Sequence, residues 1–525
     1  MRSYSVVCCL LSVVSLLGCQ FRVPQDPAAL VQKLPTDPDS LNPLVSNSAY
    51  SSAVAGYIFE QLFELDNETL QPKPKLAKRW EISPDHLQYT FYLRDDVKWQ
   101  DGQPFTADDV VFTYEKIQDP KVDAAPLRNY FRDVLKAEKL GPYAVRFTYR
   151  QPYFGALTTL GLMVVIPKHI YGDGQDFNSH PFNRKPIGTG PFRFVEWKTG
   201  QRVMLQRFEG YWDKHPKIRS MVFKIIPDEL AAFQLFKKGE LDLIDLSSLQ
   251  WARQTESKKF LDHFKKHKFF TPFGVYNYIG WNEAKPFFKD KRVRLALAHL
   301  MDREAINQKL LFGLDYLITG PYYPLGKNYD KSLKPIGYDF QEAGRLLDEA
   351  GWKINDKTGI REKEGVPFHF TMLFSPGSQF AEQLTPILSS NFLQAGIEIE
   401  LRRLEFVALT KLMQEHDFDA IMGGWGRGAG DEDLYQIFHS SQIKGGSNFI
   451  GYANPEVDRL LEEGRLEFDA AKRAKMDQQI HQILHDDQPY LFMFARPDLV
   501  ARDLRFKNVK EYPIGLDVRE WLLEE

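Results

Sequence analysis

The chain has 525 residues, of which 43% are hydrophobic, 14% aromatic and 26% charged, with a formal net charge of −3 at neutral pH. A single hydrophobic core rarely grows beyond about 250–300 residues, so this length predicts several packed units. The near-neutral balance, with no long run of lysine and arginine, excludes the basic surface that tracks a phosphate backbone, and nucleic acid is not expected as a partner.

The first twenty residues, MRSYSVVCCLLSVVSLLGCQ, set Arg2 ahead of an apolar run over residues 6–17. A run of this length suits the core of a signal peptide and falls short of a membrane span. Leu16-Leu17-Gly18-Cys19 resembles the bacterial lipobox, in which the cysteine is acylated; the plainer alternative is an ordinary signal peptide cut nearby. Residues 1–18 are therefore expected to be a lipoprotein signal peptide and Cys19 the lipidation site that ties the protein to a bilayer. Cys8, Cys9 and Cys19 are the three cysteines of the sequence, so disulfides, cysteine zinc sites and cysteine nucleophiles are not expected in the mature body. Residues 19–33 read as a tether, and residues 34–43 (LPTDPDSLNP) as an extended segment punctuated by proline.

Further along, Val54, Ile58, Leu62 and Phe63 fall near helical spacing within residues 51–65. Leu87, Tyr89, Phe91 and Leu93 alternate with more polar neighbours, the period of a half-buried strand. Thr106-Ala107-Asp108-Asp109 has the form of a capping box and predicts a helix start. Residues 186–212 (PIGTGPFRFVEWKTGQRVMLQRFEGYW) read as a bend at Gly188 and Gly190 followed by a hairpin. Its arms are residues 192–197 and 202–208, with 198–201 as the turn. The Gly-Thr-Gly lacks the Gly-Lys-Ser/Thr that a phosphate loop requires. Residues 221–226 and 241–244 read as strands flanking a helix capped by Asp228, which implies a parallel pair with a crossover. The same alternation recurs later: strands at 368–374, 397–404 and 419–425, helices at 379–394 and 407–415. Two α/β lobes are expected.

These segments resemble the bacterial extracellular solute-binding proteins that serve peptide ABC importers, solute-binding family 5. The resemblance is carried by residues 76–81 (LAKRWE), 89–94 (YTFYLR), 101–110 (DGQPFTADDV) and 188–192 (GTGPF) with Tyr211-Trp212. It continues at Asn282, residues 293–297 (VRLAL), Asp302-Arg303, residues 346–352 (LLDEAGW) and residues 451–458 (GYANPEVD). It implies an α/β, periplasmic-binding-protein-like fold: two α/β lobes with a hinge and an inserted third domain. Lobe I would take residues 34–57, 184–276 and 495–525, the inserted domain 58–183 and lobe II 277–494. It also implies capture of a peptide between hinged lobes, delivery to ABC permease subunits, a location in the periplasm or at the cell surface, a monomer, and no enzymatic role.

In open parallel sheets ligands bind beyond the carboxyl ends of strands. The loop leaving the strand at 419–425 is such a place, and it offers Trp425, Arg427, Gly428, Asp431, Asp433 and Tyr435. Glycines admit a ligand backbone, aromatics supply walls, and a buried terminal charge needs a partner, since leaving it unpaired costs several kcal/mol. The resemblance implies an acidic anchor for a peptide ammonium a few residues after the tryptophan, and the aligned position holds Gly428. Asp431 or Asp433 would take that role, or Arg427 would instead grip a carboxylate. Tyr276-Asn277-Tyr278 is expected at the first crossing between lobes and Phe494-Ala495-Arg496 at the return crossing, with Tyr50 a further candidate wall. The departure at Gly428 keeps nickel chelates, haem, glutathione and oligosaccharides open as ligands, and a sensor or chaperone-like lipoprotein is a rival of a different class.

No cofactor and no metal site is expected. His263 and His267 share a spacing of four without a third ligand nearby, no Gly-x-Ser-x-Gly is present, and Asp431 and Asp433 are too close in sequence to predict the gap of a glycosidase pair.

Overall fold

The computed structural model describes residues 29–46, 48–375, 379–428 and 432–523. Cys19 and Asp431 lie outside them. Strand β1 (Ala29–Leu34) opens the described chain and is buried along most of its length. Its residues 29–33 fall in the stretch expected to be tether, and the structure corrects that expectation. Leu30 and Leu34 feed one apolar core, while Ala29 and Val31 feed another on the opposite face of the sheet. Each fully buried Leu or Val contributes about 2 kcal/mol, which a solvated tether would forgo.

The helix expected over residues 51–65 is confined to Ala49–Ala55. The inserted domain follows, with β2 (Ala77–Ile82), β3 (Gln88–Leu93), β4 (Val134–Gly141) and β5 (Ala144–Tyr149) in an antiparallel sheet of order β2-β3-β5-β4. Thr106 caps the helix Ala107–Gln118 as predicted: its hydroxyl accepts from the Asp108 N–H at 3.3 Å, and Asp109 accepts from the Thr106 N–H at 2.9 Å. The chain re-enters lobe I through a bend at Thr189-Gly190-Pro191, as expected, and Gly188 and Gly190 there also permit close approach. A Cβ on Gly188 would lie 1.8 Å from the Ile58 carbonyl oxygen, and one on Gly190 2.7 Å from that of Tyr57. There the outgoing and returning connections pack backbone to backbone.

The hairpin forms as read, β6 (Phe192–Lys198) against β7 (Arg202–Arg207), with Gly200 at φ +71° in the turn. Then come β8 (Ser220–Ile225), a helix Glu229–Lys237 capped by Asp228, β9 (Leu243–Asp245) and β10 (Phe264–Phe269). Lobe II contributes β11 (Val275–Trp281), β12 (Tyr316–Leu317), β13 (His369–Phe374), β14 (Glu398–Arg403), β15 (Ala420–Gly426) and β16 (Tyr490–Ala495). The chain then returns to lobe I as β17 (Asp498–Asp503). The seven-stranded sheet of lobe I has the order β10-β17-β9-β1-β8-β7-β6, and the six-stranded sheet of lobe II β12-β16-β11-β15-β13-β14. The expected β8-helix-β9 unit is parallel, but β1 lies between its two strands and pairs with both.

The lobes are joined by residues 270–274 and by Arg496-Pro497. These crossings run side by side, with the Arg496 N–H donating to the Val275 carbonyl at 3.3 Å. One buried apolar cluster is continuous from lobe I through the inserted domain, taking in Leu30, Phe91, Val110, Phe192 and Trp521. Lobe II has two clusters of its own, on either face of its sheet. Among the described residues Leu314 leans from lobe II onto a lobe I cluster, and no cluster of fully buried side chains spans both lobes. Lobe I and the inserted domain therefore form one packed body and lobe II a second.

Within lobe II, His481 is fully buried. Its Nδ1 accepts from the Asp330 N–H at 3.0 Å, which assigns the proton to Nε2, and Nε2 donates to the Thr319 hydroxyl at 2.9 Å. Burial, reinforced by His485, pushes the imidazole pKa down to about 4. As pH falls below about 6.5 the unfolded chain takes up a proton here that the folded chain refuses until about pH 4, so stability is lost across that window. Urea unfolding at pH 6.5 and 5 should show a loss of up to about 2 kcal/mol from this residue, and a smaller loss in His481→Gln. An unchanged slope in the variant would place the proton uptake elsewhere.

Candidate functional site

Parallel strands β1 and β9 pair at Gln32↔Leu243 and then part. Where they part, at their carboxyl ends, lies a cavity of about 760 Å³. Lys33, Leu34 and Pro35 line it from one strand end, and Ile244 to Gln250 from the other. Tyr50 and Ala53 come from the helix Ala49–Ala55, Leu310, Leu311, Phe312 and Phe380 from lobe II, and Arg496 to Leu499 from the return crossing. Both lobes thus contribute walls, at the position where an open parallel sheet leaves room for a ligand.

The walls carry both signs of charge: Lys33, Lys309 and Arg496 against Glu229, Asp245 and Asp498. Asp245 and Asp498 remain open to the cavity, yet enough protein surrounds them that burial pushes both carboxyl pKa values up. For Asp245 the neighbouring Asp498 adds to the rise and Lys33 opposes it. Strands β1, β9 and β17 are adjacent, so Lys33, Asp245 and Asp498 stand in a row along one sheet end. A ligand with both an ammonium and a carboxylate meets complementary partners here, whereas burying either charge alone would be costly.

Of the residues singled out in the sequence, Tyr50 lines this cavity. Tyr276 and Tyr278 do not: both lie inside β11, 2% exposed, because the sheet of lobe II already begins at Val275. Tyr278 stacks on Tyr490 with ring centroids 4.0 Å apart and also faces Trp425, whose indole N–H donates to the Tyr490 hydroxyl at 3.3 Å. Asn277 sits at a bulge in the β11–β16 pairing. These aromatics form a core stack that stiffens the start of the loop after β15.

Arg427 has partners within the protein. Its side chain is 3% exposed, its Nε lies 3.2 Å from both the Pro321 carbonyl and Glu432, and its ring neighbours are Tyr276 and Tyr323. It clamps its own loop to residues 321–322. Gly428 is exposed, and a Cβ there would meet no atom within 4 Å, so lack of space does not explain the missing acid. Asp433 accepts from the Tyr153 hydroxyl of the inserted domain at 3.0 Å and lies 3.6 Å from Arg465. Tyr435 is flanked by the guanidinium groups of Arg132 and Arg465, 4.6 and 4.7 Å from its ring. Both belong to a polar seam between the inserted domain and lobe II, which also holds a stacked His86–Phe468 pair. Asp433 and Tyr435 thus bridge the two bodies, while the Arg427 N–H donates to the Gly274 carbonyl in the crossing at 3.2 Å; none of the three is among the residues lining the cavity.

Sequence reasoning missed Lys33, Asp245, Asp498 and the placing of Arg496 in the cavity wall. The strand-end rule, applied to β9 as it was to β15, would have reached Asp245.

Two α/β lobes joined by paired crossings, with a charged cavity between them, define a hinged solute-binding protein. The chain belongs to the bacterial extracellular solute-binding proteins, family 5, whose model matches residues 71–445. It is 33% identical over 504 residues to the oligopeptide-binding protein AppA of Bacillus subtilis, covering 93% of this chain and 90% of that one. The solved structure of that protein in complex with a nonapeptide superposes with a TM-score of 0.85 at 31% identity, over 95% of this chain and 99% of the other. NikZ of Campylobacter jejuni, solved with Ni(L-His), matches with a TM-score of 0.81 at 28% identity, over 95% of this chain and 100% of the other.

Breaking a buried charge pair by removing one partner costs about 3 kcal/mol or more. Arg427→Gln should therefore lower the unfolding free energy of the ligand-free protein by about that amount in urea titrations. Unchanged stability would return Arg427 to the list of ligand-binding residues.

Proposed function

We propose that this protein is the lipid-anchored, extracytoplasmic peptide-binding component of an ABC importer, held to the membrane through acylated Cys19. It captures a peptide between its two bodies, hands it to the permease subunits and performs no chemistry on it. One observation carries the reading: a cavity at the parting of two parallel strands, walled by both lobes and lined with both signs of charge, in a chain that resembles a nonapeptide-binding relative along nearly its whole length. An extended peptide needs backbone partners and countercharges for its ends. The parted ends of β1 and β9 offer backbone, Asp245 and Asp498 offer carboxylates to an ammonium, and the cavity is of the size that encloses most of a small ligand.

A ligand that binds the folded state at a hundred times its Kd adds about 2.7 kcal/mol of stability. Mixed-sequence peptide pools should accordingly raise the melting temperature of the purified protein by several degrees, while nickel–histidine, haem, glutathione and oligosaccharides leave it unchanged. A shift with one of those solutes and none with peptides would reject the peptide reading in favour of that solute.

A further inference from the structure

Arg496 stands on the return crossing, lines the cavity, and is held from both lobes. Its Nε lies 3.2 Å from Asp315 of lobe II, its Nη2 donates to the Ser248 hydroxyl of lobe I at 3.4 Å, and its guanidinium carbon sits 5.7 Å from the Phe380 ring. Nη1 has no hydrogen-bond acceptor among the described residues. The Asp315 side chain has no exposure, and neither of its oxygens accepts a hydrogen bond. Burial pushes its carboxyl pKa up to about 6, against the pull of Arg496 and Lys268.

An acid kept in such a place is costly to the fold, and its closest ion-pair partner is the one arginine of the cavity wall. Its effect is to fix the direction of that guanidinium. Arginine differs from the two lysines in the same wall by its planar fork, which meets a carboxylate with two parallel N–H donors, provided the plane is held still. We infer that Arg496 receives a carboxylate of the ligand, held in orientation for it by the buried Asp315. This rests on the reading of the cavity as the peptide site and adds to it the residue that reads one end or one acidic side chain. Because Asp315 and Ser248 lie on opposite sides of the hinge, a carboxylate docked on Arg496 is gripped from both lobes, and its binding favours the arrangement in which they meet.

The test uses native mass spectrometry of the purified protein with mixed-sequence peptide pools, one with free C-terminal carboxyls, one amidated, and one amidated but with a glutamate in every member. Wild type should bind the free-acid pool about tenfold or more tighter than the plain amidated pool, or show that preference for the glutamate pool if a side-chain carboxylate is the one read. Arg496→Gln should abolish the preference and Arg496→Lys keep part of it. Asp315→Asn should weaken the preference while amidated peptides bind as before, a pattern that mere damage to the fold would not give. A preference undiminished in Arg496→Gln, or a wild type that treats all three pools alike, overturns the assignment while leaving peptide binding in place. A wild type that binds none of the pools rejects the peptide reading, and the assignment with it.

Discussion

Lobe I and the inserted domain are welded by a common apolar core, whereas among the described residues no cluster of fully buried side chains joins that body to lobe II. That unequal division of buried apolar surface is the constraint on which everything else depends. Separating residues that share a core would expose many side chains at about 2 kcal/mol each, so the first body moves as one piece. Parting the seam at Tyr153–Asp433 and His86–Phe468 breaks a limited set of polar and ring contacts and opens no apolar cluster shared by the two bodies. Motion is therefore directed to the hinge, across the face where the cavity lies.

A ligand can shift such an equilibrium only by the difference in its affinity for the two arrangements. The cavity is built to make that difference large, since its walls come from both bodies and its charges are of both signs. Arg427 and the Trp425–Tyr278–Tyr490 stack serve this indirectly. They fix the end of β15 and the first residues after it, and Asp433 further on meets Tyr153 of the inserted domain at the seam.

Local signals were legible in the sequence. The capping box at Thr106, the hairpin around Gly200, the cap at Asp228 and the strands of lobe II all depend on residues within one or two turns of each other, and all form as read. Strand β1 was not legible, because Gln32 and Lys33 line the cavity and so interrupt the apolar pattern of the strand that carries them. The site was partly hidden for a related reason. Tyr276 and Tyr278 carry the same aromatic signal whether they pack a core or a ligand, and the partners that occupy Arg427 and Asp433 come from residues 321 and 153, far along the chain. The family resemblance located the loop after Trp425 but not the neighbours that engage it here.

Capture between two hinged bodies requires that they approach each other around a bound ligand. Residues 29–523 contain no cysteine, so a pair introduced at the exposed Lys136 of the inserted domain and Lys472 of lobe II labels cleanly. Spin-label distances between these positions should be long or broad without peptide and collapse to one short distance when peptide saturates the protein. A distribution that is the same in both states would contradict the hinge and the mechanism built on it.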